Sequence, residues 1–131
     1  DLVKDQAHAN FIKHLQWREM PARQRVLAAF VLTSVMDGYR AGQEACLHQL
    51  LHTACWKLLD GNDEVCVGDR RLDPSLLRWV CLCIAKLCWR YTDAQDACVR
   101  LDIHGSLFAC LQGEGENKAA RGGVGGGRSS G

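Results

Sequence analysis

The residues best suited to chemistry lie in one short stretch of the chain. Cys46, His48, His52 and Cys55 fall within ten residues, and the last three share one helical face at spacings i, i+4 and i+7. Thiolate and imidazole groups are ligands that zinc prefers. Zinc sites of this kind usually contain C-x2-C pairs and a second cluster, and the sequence has neither. We therefore expect no metal ion, with the histidines in solvent and the cysteines packed inside.

The remaining cysteines and serines show no arrangement for nucleophilic catalysis. Such a nucleophile needs a positioned base and an orienting acid, and the sequence has no nucleophile elbow, no HExxH motif and no cluster of carboxylates. The eight cysteines lie largely within apolar helical patterns. Free cysteine packs as a small hydrophobic residue, and a reducing compartment keeps it so. We expect a non-enzymatic protein without a cofactor.

The end of the chain is rich in glycine and has almost nothing to bury. Residues 113–131 read GEGENKAARGGVGGGRSSG. GEGENK and GGVGGGRS loosely match dinucleotide- and phosphate-binding loops, but neither follows a predicted strand or opens a predicted helix. We predict a disordered tail. The single RGG at Arg121 leaves open an alternative function, a small RNA-associated protein that uses this tail.

The part predicted to fold, residues 1–112, is electrically neutral. The chain has 16 basic and 15 acidic residues, of which the tail holds three and two. A surface for nucleic acid or anionic lipid would show a basic excess, so we expect no nucleic-acid partner. No uninterrupted apolar run approaches the ~20 residues of a membrane span, so we expect no membrane insertion. Because the chain begins at Asp1, we interpret it as a fragment of something longer.

An internal repeat organises the elements that would position these residues. Tyr39–Leu47, YRAGQEACL, returns 52 positions later as Tyr91–Val99, YTDAQDACV. The same offset aligns flanking apolar positions: Leu27 with Trp79, Phe30 with Leu82, Val35 with Leu87, Leu51 with Ile103 and Leu59 with Leu111. Self-similarity over some tens of residues indicates a stack of helical units that bury each other's faces.

Apolar spacing predicts six helices, which cover about 1–17, 21–36, 42–59, 73–90, 92–98 and 103–111. Asp73 and Pro74 fit the N-cap and first position of the fourth helix, and Thr92 with Gln95 has capping-box spacing. Residues 60–73 form a predicted loop insertion. Without about ten inserted residues the period falls near ~42, within the ~40–47 of armadillo and HEAT units. We predict an all-α, armadillo/HEAT-like α-solenoid fragment of two to three repeats.

Large apolar side chains divide into predicted core and predicted surface. Phe30 and Leu82 fall within the apolar stripes of their helices, which predicts that both are core residues. Trp56 and Trp89 lie at the edges of their stripes, and exposed tryptophan often anchors protein interfaces. Trp56 and Trp89 are therefore the candidate partner-binding residues.

Four stretches carry a family resemblance: LVKDQAHANFIKHL, MPARQRVLAAFVL, GYRAGQEACL and DPSLLRWVCLCIAKLCW. They resemble the armadillo-type repeats of the Raptor family, the scaffold subunits of TOR complex 1. The resemblance covers about Leu2 to Leu111. The chain departs from the family pattern in the longer loop at 60–73 and in the Gly-rich tail, where further repeats would be expected.

The resemblance implies a non-catalytic scaffold. Raptor-like proteins bind the TOR kinase, bring TOR substrates to it, and dock the complex on Rag-type GTPases at lysosomal or vacuolar membranes. It also implies a cytoplasmic protein recruited to that surface. No single residue carries these roles over. An unrelated armadillo or HEAT adaptor stays an alternative of the same fold, and a metal-dependent enzyme built on His48 and His52 is one of another class.

Overall fold

The computed structural model describes the backbone of residues 2–60 and 73–121, and the side chains within 5–60 and 73–112. These ranges contain helices and turns but no strand. The helices are α1 Leu2–Gln16, α2 Ala22–Met36, α3 Arg40–His48, α4 Leu51–Asp60, α5 Pro74–Cys88, α6 Thr92–Arg100 and α7 Ile103–Arg121. The predicted all-α solenoid is confirmed. Within the described ranges, no helix combines the length and hydrophobicity that crossing a membrane requires.

The helices recur in groups of three at the offset of 52 residues found in the sequence. α2 and α5 each have 15 residues, and α3 and α6 each have nine. α4 begins at Leu51 and α7 at Ile103. We call α2–α4 the first repeat and α5–α7 the second repeat. Three helices per unit is a pattern of armadillo-type arrays.

The turns within the two repeats share their backbone conformation as well as their position. Gly38 and Arg90 have φ angles of 62° and 50°, and Leu50 and Asp102 have φ angles of 64° and 56°. A residue with a side chain adopts this left-handed conformation at a cost of about 1 kcal/mol. Three of these four residues are not glycine, so the packing of the flanking helices, rather than local preference, determines the turns.

The predicted helix over 42–59 is in fact two helices, α3 and α4. The break lies at Gln49 and Leu50, where the Leu50 N–H donates to the carbonyl oxygen of Leu47 at 3.0 Å. Because Leu50 is left-handed, the chain changes direction there. The new direction places Leu51 and Cys55 fully inside the core and leaves Leu50 exposed. A single straight helix would not bring both of its halves onto the neighbouring repeat.

The helix starts predicted for the second repeat are partly right. The Asp73 carboxylate accepts hydrogen bonds from the N–H groups of Ser75 and Leu76 at 3.1 and 3.2 Å, and Pro74 is the first helical residue. The capping box at Thr92 is wrong, because Tyr91 is the N-cap and makes no side-chain cap bond. Gln95 instead reaches back, and its Nε2 donates to the carbonyl oxygen of Cys88 at 2.9 Å.

The last helix extends past the end predicted at Leu111. α7 continues to Arg121, over ten residues, 112–121, that combine the helix formers glutamate, lysine and alanine with two glycines. Residues 61–72 and 122–131 lie outside the described residues. For these residues the disordered character of the loop insertion and of the tail stays a prediction, whereas residues 113–121 of the predicted tail are helical.

The packing of α2 against α5 forms the centre of the core. Both helices bury one face completely, with Leu32 and Met36 on α2 and Val80 and Leu87 on α5. Polar groups in this contact are also paired: the Cys83 thiol donates to the carbonyl oxygen of Ala29 at 3.3 Å. The small side chains of Ala28 and Ala29 allow this close approach, and both are buried.

Gly42 marks a second close approach, where α3 crosses α2. A Cβ atom at this position would overlap the carbonyl oxygen of Val35. The equivalent residue in the second repeat is Ala94, which is buried and carries a Cβ atom. The α2–α3 crossing therefore depends on the absence of a side chain at Gly42.

The predicted burial of Phe30 and Leu82 is wrong. Phe30 is 49% exposed and Leu82 is 39% exposed. α2 carries apolar residues around most of its circumference, and the side that packs is that of Ala28, Ala29 and Leu32. Phe30 lies on the opposite side of α2, and Leu82 occupies the matching position on α5.

We expect Leu32→Ala to lower the free energy of unfolding by about 2–5 kcal/mol, because it leaves a cavity in the fully buried centre of the core. The matched control on the same helix is Leu27→Ala, which removes an exposed side chain and should cost less than about 1 kcal/mol. Urea unfolding followed by far-UV circular dichroism measures both. Equal losses for the two variants would contradict the orientation assigned to α2.

Candidate protein-interaction surface

An exposed row of large apolar side chains runs across the two longest fully described helices. Leu27 and Phe30 on α2 are 56% and 49% exposed, and Leu82 on α5 is 39% exposed. Trp79 on α5 is half-buried among them. We call these four residues the α2–α5 face. Leu27 and Trp79 are equivalent in the repeat, as are Phe30 and Leu82, so each repeat contributes the same two positions.

The two repeats meet within this face. The rings of Phe30 and Trp79 lie edge to face, with centroids 5.4 Å apart and planes inclined by 81°. Aromatic pairs with this geometry contribute about 0.5–1.5 kcal/mol beyond the area they bury. The contact fixes the spacing between the α2 and α5 halves, so the face is an ordered surface.

The charged residues within the two helices of the α2–α5 face are all basic. Neither α2 nor α5 contains an aspartate or glutamate, while Arg23 and Arg78 are exposed on them. Lys86 donates to the Asp37 carboxylate at 2.8 Å in a partly exposed ion pair. Arg25 is buried, and its Nε donates to the carbonyl oxygen of Leu15 at 2.9 Å. The face is therefore apolar, with the exposed Arg23 and Arg78 on its two helices and the charge of Lys86 paired with Asp37.

A polar joint ties the α2–α3 turn of the first repeat to the end of α5. The Arg40 guanidinium lies 4.3 Å from the centre of the Tyr91 ring and donates to the carbonyl oxygen of Arg90. The Arg40 Nε also donates to the Gln43 Oε1 at 3.2 Å. The contacts of Arg40 with Arg90 and Tyr91 connect residues some 50 positions apart, so they set the register of one repeat against the next.

Gln43 is the buried centre of this joint. The residue is 3% exposed, and its Nε2 donates to the carbonyl oxygens of Lys86 and Trp89 at 2.8 Å each and of Leu87 at 3.3 Å. The last carbonyl groups of a helix have no partner within the helix. Gln43 supplies such partners from the neighbouring repeat.

The two tryptophans predicted to bind partners lie in different surroundings. Trp89 is in the α5–α6 turn and is 60% exposed, with the Arg90 guanidinium 5.5 Å from its ring centre. Trp56 is half-buried on α4 and lines a cleft of 730 Å³ between α1 and α4, with the exposed Trp17 opposite. Their roles in binding stay predictions.

The four residues that suggested metal chemistry separate between core and surface. Cys46 and Cys55 are fully buried, while His48 is exposed. Burial raises the pKa of the Cys46 thiol to about 12 and lowers the pKa of the half-buried His52. Within the described residues, no group of three or more His, Cys, Asp or Glu side chains is arranged to hold a metal ion. Buried neutral thiols are poor nucleophiles and poor ligands.

Sequence reasoning missed the α2–α5 face because it assigned Phe30 and Leu82 to the core. The available signal was the pair of alanines at 28 and 29. Small residues on one side of an apolar helix indicate where a neighbour packs closely. Large residues on the other side, here Leu27 and Phe30, are then the ones left outside.

We expect Gln43→Ala to destabilise the fold by about 1–3 kcal/mol, because it leaves buried carbonyl groups at the end of α5 without partners. The matched control is Gln95→Ala at the equivalent position. Gln95 is exposed and makes a single bond, so its loss should stay within about 0.5 kcal/mol. Urea unfolding of both variants and the unaltered chain gives the two losses, from the shift in the unfolding midpoint where the m-value is unchanged. A loss from Gln43→Ala that is as small as the loss expected for Gln95→Ala would show that the joint adds no stability.

Comparison with known proteins gives a consistent set of relatives, although no protein-family model matches the chain. The chain is 42% identical over 95 residues to "Regulatory-associated protein of TOR 2" of Oryza sativa subsp. japonica, which covers 72% of the chain. It is 37% identical over 111 residues to "Protein raptor homolog" of Dictyostelium discoideum, 85% of the chain. It is 31% identical over 114 residues to "Target of rapamycin complex 1 subunit mip1" of Schizosaccharomyces pombe, 82% of the chain.

These relatives are much longer than the chain. The matched segment is 7% of the rice and Dictyostelium proteins and 8% of the fission yeast protein. The predicted resemblance is confirmed over 72–85% of the chain. The chain therefore belongs to the Raptor family, as a counterpart of one segment of these TOR-associated proteins.

Proposed function

We propose that the chain works as a non-catalytic protein-interaction scaffold within TOR complex 1. The observation that carries this proposal is the match of most of the chain to relatives named for TOR or its complex, across three distant groups of organisms. A stack of helices suits such a role, because it offers an extended ordered surface and needs no reactive group.

The proposed partner of this scaffold is the TOR kinase, and the proposed surface that the kinase contacts is the α2–α5 face. Monomeric soluble proteins seldom expose large contiguous apolar patches unless a partner covers them. Leu27, Phe30 and Leu82 are exposed and close to ordered aromatic packing at Phe30 and Trp79. Aromatic and arginine residues are typical anchors of protein interfaces, and Arg23 and Arg78 are exposed on its two helices.

Recruitment of TOR substrates and Rag-type GTPases is the second part of the proposal. It rests on the family membership alone, and no particular residue is assigned to it. The corresponding location is the cytoplasm, with recruitment to the lysosomal or vacuolar surface through protein partners.

The experiment is affinity purification of the tagged protein from its own cells, followed by quantitative mass spectrometry. The test variant is the double substitution Phe30→Asp with Leu82→Asp, which places charge on the α2–α5 face. We expect at least a tenfold loss of co-purified TOR kinase, because a carboxylate in an apolar interface is costly to desolvate. Both residues are partly exposed, and losing the Phe30–Trp79 contact should cost only about 0.5–1.5 kcal/mol, so the fold should survive.

The matched control is Val99→Asp, which places the same charge on an exposed apolar residue of α6, outside the face. TOR recovery should equal that of the unaltered protein. Loss of TOR with all variants would point to misfolding, which circular dichroism of the purified chains distinguishes. Recovery of transport receptors, cytoskeletal proteins or ribonucleoproteins without TOR would contradict the scaffold proposal itself.

A further inference from the structure

Two thiols of the second repeat lie in contact. Cys88 is the last residue of α5 and Cys98 lies in the second half of α6, and their Sγ atoms are 3.5 Å apart. Both cysteines are free. A disulfide bond has an S–S distance of about 2.05 Å, so the two sulfur atoms would have to approach by only about 1.5 Å to bond.

The surroundings make one of the two thiols accessible and the other protected. Cys88 is half-buried, while Cys98 is buried against the core. The hydrogen bond between the thiols lowers the pKa of Cys88 and raises that of Cys98. Elsewhere burial raises the pKa of Cys46 to about 12 and of Cys83 to about 11. Thiolate character and access together favour Cys88 as the first thiol to react.

We propose that Cys88 and Cys98 are a redox modification site, which forms a reversible intramolecular disulfide when a hydroperoxide oxidises the chain. The inference rests on the contact between these two thiols, at the end of α5 and within α6, and is independent of the proposed TOR-scaffold function.

The chemistry proceeds in two balanced steps. The Cys88 thiolate attacks one oxygen of hydrogen peroxide, the O–O bond breaks, and the departing hydroxide takes a proton to become water, leaving Cys88 as a sulfenic acid. The Cys98 sulfur then attacks the Cys88 sulfur, the S–OH bond breaks, and the Cys98 proton leaves with the hydroxide as a second water. Two thiols lose two electrons and the peroxide gains them. A dithiol reductant reverses the bond by exchange.

The first repeat lacks this pair and so provides an internal reference. Cys46 is equivalent to Cys98, and the position equivalent to Cys88 is Met36. Both Met36 and Cys46 are fully buried. A methionine at position 88 therefore has a precedent in the same fold. The pair of thiols in contact occurs in the second repeat and not at the equivalent positions of the first.

The disulfide would act on the turn that presents Trp89. It would join the end of α5 to α6 across Trp89, Arg90 and Tyr91, closing a loop between residues ten positions apart. Gln95 already holds this turn through the Cys88 carbonyl oxygen at 2.9 Å. The new bond would restrict opening of the α5–α6 turn.

Peptide mapping tests the proposal, because trypsin separates the two thiols. Cleavage after Lys86, Arg90 and Arg100 gives LCWR, with Cys88, and YTDAQDACVR, with Cys98. The full chain is reduced, its helix content is checked by circular dichroism, and it is treated with hydrogen peroxide, alkylated and digested. We expect the cross-linked pair of these peptides as the main disulfide product, and its loss after dithiothreitol. Peptides with Cys46 should stay alkylated.

Two variants test the order of the steps. Cys88→Met, which copies Met36, should leave Cys98 reduced and alkylated. Cys98→Ala should yield a sulfenic acid at Cys88, trapped as an adduct with a 1,3-diketone reagent. Equal cross-link yield in urea-unfolded chain would contradict the inference, since the fold would then contribute nothing. So would a folded, peroxide-treated chain in which both peptides are recovered fully alkylated, or linked to other cysteines.

Discussion

The packing of α2 against α5 is the interaction on which the rest of the structure depends. Each three-helix unit is too small to bury its own apolar faces, so the long helices of the two repeats must cover each other. Leu32 and Val80 are fully buried in that contact, and the small Ala28 and Ala29 let the helix axes come close. The same contact leaves Leu27, Phe30 and Leu82 on the outside. The proposed interaction surface is therefore a consequence of how the core is built.

The polar joint explains why the register between the repeats is kept. Apolar packing between two long helices tolerates sliding, but the hydrogen bonds from Gln43 to the end of α5 require one position. The ion pair of Lys86 with Asp37 and the contact of Arg40 with Tyr91 lie around it. Surface ion pairs are weak individually, so the buried Gln43 is the member of the joint that stabilises the register most.

The repeat and its offset of 52 residues could be predicted from the sequence, because Tyr39–Leu47 is similar to Tyr91–Val99 and the flanking apolar positions align at the same offset. The start of α5 at Asp73 and Pro74 was predictable from local chemistry. The side of α2 that packs was not predictable, because apolar residues surround that helix and periodicity alone does not choose between Leu32 and Phe30.

The break at Leu50 could have been inferred from the second repeat, where a helix through Cys98 and another from Ile103 were predicted. The role of Gln43 was not predictable, because its partners lie more than 40 residues away. Of the two tryptophan candidates, Trp56 is half-buried and Trp89 is exposed.

Cross-linking mass spectrometry of TOR complex 1 purified with this protein would test the central claim most directly. Lys86 lies beside the α2–α5 face, whereas Lys13 and Lys57 line the cleft between α1 and α4. The account predicts cross-links from Lys86 to the TOR kinase, which decrease when Phe30 and Leu82 are replaced by aspartate. Cross-links from Lys13 or Lys57 to the kinase, with none from Lys86, would place the interface elsewhere on the repeats and contradict the role assigned to the α2–α5 face.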